Sequence, residues 1–212
     1  MNKKVLALIL AAALALTAAA CAEGSGSPDI PQPYAEILDL VRRGMAGDET
    51  AQEDERFNDV WYYIPLYGQS LGCALIDLDG DGSPELVIGL IADTPEEEDW
   101  LSDIWTIRDG EAVRISIGWE RWRMYLTLVP DAYGIYHEGA DSAFESVFSH
   151  SRIGRGGAGL YDTRNLTAYS DPDTGTVAWT LDGSVTDGAS AREVLSGWLA
   201  DVWVPELTPI LP

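Results

Sequence analysis

Two short apolar runs, Leu71-Gly72-Cys73-Ala74-Leu75-Ile76 and Leu86-Val87-Ile88, enclose a stretch in which acids alternate with other residues: Asp77-Leu78-Asp79-Gly80-Asp81-Gly82-Ser83-Pro84-Glu85. Runs this short, rich in β-branched residues and bounded by glycine, are strands rather than helices. The stretch between them holds two glycines and a proline and cannot continue either strand. It is therefore expected to be the tip of an antiparallel hairpin.

The tip also carries specific chemistry. Hard divalent cations such as Ca²⁺ take six to eight oxygens at about 2.3–2.6 Å, and alternate residues of a tight loop can aim oxygens at one centre. In that scheme Asp77, Asp79 and Asp81 offer side-chain oxygens, Ser83 its backbone carbonyl, and Glu85 a carboxylate, directly or through water. Two like charges about 5 Å apart repel by roughly 3 kcal/mol at an effective dielectric of 20. The tip is thus expected to loosen without a cation, and Ca²⁺ is the expected one, because Mg²⁺ dehydrates reluctantly and demands near-octahedral geometry. Gly82 stands where an EF-hand loop turns sharply, but Ile88 occupies the twelfth position, where that loop needs a bidentate Glu. The segment is not a complete EF-hand.

The stretch ALIDLDGDGSPELVIG, followed by Ile104-Trp105-Thr106-Ile107-Arg108-Asp109-Gly110-Glu111-Ala112-Val113, resembles a recurring segment of uncharacterised Firmicutes (clostridial-type) lipoproteins. In those an aspartate-rich loop precedes "PEL" and a hairpin. It is also similar to the calcium loops of FG-GAP (integrin-type) repeats, which lie between strands. The resemblance implies calcium binding by Asp77, Asp79, Asp81, the Ser83 carbonyl and Glu85, and implies no reaction. FG-GAP loops more often end in Asp than in Glu.

Around this hairpin the periodicities predict an α+β domain, a largely antiparallel sheet with an N-terminal and a C-terminal helix. Tyr34, Ile37, Leu38, Val41 and Met45 fall at helical spacing, and Gly44 and Gly47 supply a stop, so a helix is expected over 34–45. Residues 48–56 are mostly acidic and read as a solvated loop. From Val60 onward, aromatic and β-branched clusters predict strands at 72–76, 86–91, 104–108, 112–117, 123–129, 134–136 and 177–181. Ser190-Ala191-Arg192-Glu193 has the form of a capping box before a helix over 191–202, closed by Pro205.

The N-terminal residues bear on location. Lys3 and Lys4, the apolar run Val5–Leu16 and the small residues 17–20 predict a signal peptide over 1–20. The stretch Leu16-Thr17-Ala18-Ala19-Ala20-Cys21 resembles the lipobox of bacterial lipoproteins, which implies a diacylglyceryl group, with acyl chains such as palmitate, on Cys21. Residues 21–33 then read as the lipidated cysteine and a flexible Gly/Ser/Pro tether, and 34–212 as one extracellular domain. The expected location is the extracytoplasmic face of a bacterial cell membrane. With 13 Lys plus Arg against 35 Asp plus Glu, a net charge of -22, nucleic acid is an unsuitable partner. Anionic lipid is repelled as well, so attachment falls to the acyl chains. Cys73, in an apolar run, is expected to be a buried thiol.

No GxSxG, HExxH or cysteine–histidine pairing is present, so the chain is not expected to be an enzyme. His137 and His150 read as loop residues with ordinary hydrogen-bond partners, and Ser149-His150-Ser151 does not make a triad by adjacency. Gly154-Arg155-Gly156-Gly157-Ala158-Gly159 lacks the Lys-Ser/Thr of a phosphate loop and reads as a mobile loop. The expectation is a monomeric, lipid-anchored, calcium-binding protein whose ion is structural, with an envelope role and a polysaccharide or protein ligand. A carbohydrate-binding module using Trp100, Trp105, Trp119, Trp122 or Trp179, and a secreted hydrolase with an acidic site, are the alternatives.

Overall fold

The computed structural model describes residues 19–20, 30–66, 69–92, 94, 98–119, 121–129 and 132–211. Helix α1 (Gln32–Met45) starts on Pro31, whose carbonyl accepts from Tyr34 N and Ala35 N. Its apolar stripe buries Tyr34, Ile37, Leu38 and Val41, as the spacing predicts, and Gly47 ends it with φ +86°. The domain begins before residue 34, because Ile30 already packs on the core. Of the expected signal segment, Ala19 and Ala20 are described, and they form strand β1, paired with β2 at Leu75 and Ala74. The remainder of that segment, Cys21 and the tether through residue 29 lie outside the described residues.

Two helices lie in stretches where the sequence reading expects none. Asp48 accepts from Thr50 N (2.9 Å) and Ala51 N (3.3 Å), capping the short helix α2 (Glu49–Gln52). Helix α3 (Asp59–Leu66) contains an aromatic cluster to which the sequence reading assigns no element of its own. Its Trp61 is fully buried and donates from Nε1 to Asp103 Oδ2 at 2.8 Å, so a long-range anchor overrides local β-propensity.

The strands are β2 (Ser70–Ile76), β3 (Glu85–Ile91), β4 (Trp100–Arg108), β5 (Glu111–Ile117), β6 (Trp122–Val129), β7 (Ala132–Ala140), β8 (Glu145–Gly154), β9 (Gly159–Ser170), β10 (Val177–Leu181), β11 (Ser184–Thr186), β12 (Val202–Trp203) and β13 (Thr208–Pro209). They form an antiparallel sheet in the order β1-β2-β3-β4-β6-β7-β8-β9-β10-β11, with β5 beside β4, β12 beside β6 and β13 beside β2. Helix α4 (Gly188–Leu199) packs near β10; Asp187 caps it by accepting from Ala189 N and Ser190 N, displacing the cap expected at Ser190. No described helix is long and apolar enough to cross a membrane.

Alternation along the strands gives the sheet two buried faces. Leu75, Leu86, Ile88, Trp105, Tyr125 and Tyr136 meet the helices on one face, while Ala74, Val87, Ile104, Met124, Leu126 and Ile135 build a second cluster on the other. Cys73 is fully buried on the helix-covered face, as its apolar run predicts, but it is not the free thiol expected from sequence.

Candidate metal centre

The acidic stretch is the tip between β2 and β3, closed where Ile76 pairs with Glu85. The chain wraps around Asp77. Its Oδ1 accepts from Gly80 N (2.8 Å) and Asp81 N (3.2 Å), and its Oδ2 from Gly82 N (3.1 Å). Gly80 (φ +73°) and Gly82 (φ +93°) supply the left-handed residues this wrap requires. Asp79 Oδ1 accepts from Asp81 N (3.0 Å). Backbone N–H groups thus provide part of the counter-charge that the repulsion argument assigned to an ion alone.

One oxygen each from Asp77, Asp79 and Glu85 lie within 4.8 Å of one another. Oxygens sharing one calcium at about 2.3–2.6 Å stand at most about 5 Å apart, so these three fit a common hard cation. Asp79 and Glu85 are each 2% exposed, and Asp77 is half-buried. Asp81 and Ser83 stand apart at the exposed rim, where Asp81 Oδ1 accepts from Ser83 N at 2.7 Å. The structure therefore brings together three of the four acids that spacing places in one set.

Glu85 is oriented from both sides, its Oε2 accepting from Leu78 N (2.8 Å) and its Oε1 from the Thr106 hydroxyl (3.2 Å). Burial pushes its carboxyl up to about 7; the Leu78 N–H opposes this, and Asp79 and Asp81 add to it. Helix α1 reaches the base of the tip through the Tyr34 hydroxyl, shared between the carbonyls of Pro84 (2.9 Å) and Trp105 (3.2 Å).

The glycine-rich segment read as a mobile loop is the turn between β8 and β9, and it belongs to this centre. Gly157 N donates to Asp79 Oδ2 at 3.3 Å, and Arg108 donates to the Gly157 carbonyl. Gly157 has φ +68°, and a Cβ there would lie 2.9 Å from Thr106 Cγ2. Only a glycine fits both the backbone and the space. Nothing in the local spacing joins this segment to the acids, because its contact depends on the curl of the sheet, which also carries β5 against β9.

The other chemistry-bearing residues are absorbed by packing. His137 and His150 lie on β7 and β8, not in loops. His137 is 5% exposed between Ser116 Oγ (3.1 Å) and Ser149 Oγ (3.5 Å), with Trp122 stacked on its ring. Burial lowers it to about 4. His150 Nε2 meets Thr127 Oγ1 (2.9 Å), and its ring stacks on Trp198. Neither imidazole bonds a carboxylate among the described residues. Trp100 and Trp105 are core residues, whereas Trp119 is exposed. Asp103, fully buried, pairs with Arg114 Nε at 2.9 Å and accepts from Asn58 and Trp61. Burial raises the Asp103 carboxyl while Arg114 and these donors oppose the shift. Compared with protein families, curated proteins and solved structures, the chain matches none.

Proposed function

We propose that this chain is a lipid-anchored, extracytoplasmic bacterial protein that holds a structural Ca²⁺ at its β2–β3 tip. The single observation that carries the ion is the convergence of Asp77, Asp79 and Glu85, two of them buried, within 4.8 Å. Asp81 and the Ser83 carbonyl are further oxygens at the rim, and calcium's high coordination number accommodates them. Bound there, the ion supplies a concentrated positive charge, and the residues supply its placement. Asp77 organises the wrap, Asp79 ties the tip to Gly157, and Glu85 ties it to Thr106. The role is one of binding and stiffening, with no catalytic step.

The anchor rests on the run ending at Ala20-Cys21, and an acidic domain of this charge is kept off anionic headgroups by its own field. Thermal unfolding of the purified chain with calcium and with chelator tests the ion: a higher midpoint in calcium is expected, and equal midpoints overturn the reading.

A further inference from the structure

Where the helices end, the helix-covered face of the sheet leaves an open cleft of about 480 Å³ over the start of β6, the end of β7 and the start of β8. Its lining includes Arg121, Arg123, Glu138, Ser142, Ser146 and Phe148. The strand register sets Arg123 directly opposite Glu138, with Phe148 next in the same row. Opposite charges facing each other across strands ordinarily pair. Here they do not: neither Arg121 nor Arg123 belongs to an ion pair among the described residues, and Arg123 instead hydrogen-bonds the Tyr125 hydroxyl.

Glu138 is held elsewhere. Its Oε1 accepts from the Tyr125 hydroxyl (3.3 Å) and its Oε2 from the Tyr136 hydroxyl (3.0 Å). Burial, reinforced by the Glu138 charge and opposed at Tyr125 by Arg123, pushes Tyr125 up to about 12 and Tyr136 higher still, so both phenols keep their protons and donate to Glu138. Each carboxylate oxygen retains a lone pair for a further donor. Gly139 lets the turn before β6 close over this end of the sheet, since a Cβ there would collide with the Arg121 carbonyl and the Trp122 ring.

We propose that this cleft binds an acidic sugar unit, a hexuronate within a glycan. Guanidinium forks recognise a carboxylate bidentately, and the only lysines of the chain are Lys3 and Lys4, so Arg121 and Arg123 are the groups here suited to that task. Sugar hydroxyls donate to Glu138 and exchange hydrogen bonds with Ser142 and Ser146, while the Phe148 ring offers the C–H face of a pyranose an apolar surface. Arg121 and Arg123 are the cationic groups of the lining, set against Glu138, and a uronate carboxylate placed between the two guanidiniums meets their charge. A sulfate ion has no donor for Glu138, a phosphate ion has at most two and no apolar face for Phe148, and a zwitterionic amino acid leaves the hydroxyl side unused. The site stands on its own residues and is independent of calcium at the β2–β3 tip.

Isothermal titration of the full chain with sodium trigalacturonate, in buffer without added calcium, tests this. The same titration follows with the trimer's methyl ester, with inorganic phosphate and with glycylglycine. Trigalacturonate is expected to bind, and the ester and the Arg123→Gln variant to bind at least about tenfold more weakly, the loss expected for one charge-assisted contact. Ser146→Ala, at a polar position outside the core, is expected to lose affinity several-fold and covers the case in which Arg123→Gln does not fold. No heat with trigalacturonate up to about 10 mM overturns the proposal, since that is weaker than a specific site requires. Equal binding of the ester, tighter binding of phosphate or glycylglycine, or unchanged affinity in the folded variants overturns it too.

Discussion

Replacing Asp79 with Asn separates ion binding from tip closure, because the two conditions respond with opposite sign. Asp79 accepts from Asp81 N on one oxygen and from Gly157 N on the other. An amide offers one acceptor, so one of these N–H groups loses its partner, a cost of about 1–3 kcal/mol. Against this, two charges 4.8 Å apart repel by about 3.5 kcal/mol at an effective dielectric of 20, and Asp79 has two such neighbours, Asp77 and Glu85. At pH 8 Glu85, raised to about 7, is mostly ionised as well. In chelator at that pH the variant is therefore expected to match or exceed the wild type in stability.

In calcium the order reverses. At one hundred times Kd a bound ion adds about 2.7 kcal/mol, and the variant lacks one of the three converging carboxylates. For a domain of this size each kcal/mol moves the midpoint by about 2–4 °C, so the wild type should rise by about 5–10 °C and the variant by little. Tryptophan fluorescence on heating, in calcium and in chelator, reads both curves. An equal calcium-dependent rise in the two proteins, or a variant less stable than wild type by about 3 kcal/mol or more in chelator, refutes the reasoning.

Asp103→Asn strands the Arg114 guanidinium without its buried partner and should cost about 3–5 kcal/mol in urea unfolding, with Asp103→Asn/Arg114→Met recovering most of it. His137 titrates near 4 when folded and near 6.5 when unfolded, so its contribution is complete above 6.5 and is lost as pH falls toward 4. His137→Gln should flatten the fall in unfolding free energy between those values, and an unchanged slope counts against the assignment. Cys21→Ser should move the chain from the membrane fraction to the soluble fraction. Intact mass then decides between two uses of sulfur in a chain with only Cys21 and Cys73, since a sulfur bearing a diacylglyceryl group cannot also join a disulfide.

Local periodicity was enough to locate α1, whose buried residues repeat at helical spacing, and the β2–β3 hairpin, where acids and glycines interrupt two apolar runs. It failed where distant contacts decide. Val60 and Trp61 are β-favouring residues without helical spacing, yet the Asn58 side chain accepts from Val60 N and Trp61 reaches across to Asp103. β8 and β9 were hidden because Ser146, Ser149, Asn165 and Thr167 break the apolar alternation of paired strands. Within the metal centre, spacing identified Asp77, Asp79 and Glu85 but could not tell that Asp81 turns toward Ser83 N. Nor could it find Gly157, which meets Asp79 only through the tertiary fold.

Strand β13 has a consequence for the order of assembly. Thr208 pairs with Cys73 and Pro209 with Gly72, and Ile210 N donates to the Leu71 carbonyl at 2.8 Å. This part of the outer edge of β2 stays unsealed until residues 208–210 have been synthesised and brought back. A nascent chain that stops short of them presents unpaired backbone beside the acidic hairpin, a template for pairing with another copy. Losing a few residues after Leu207 should therefore show first as aggregation rather than as a change in affinity for any ligand.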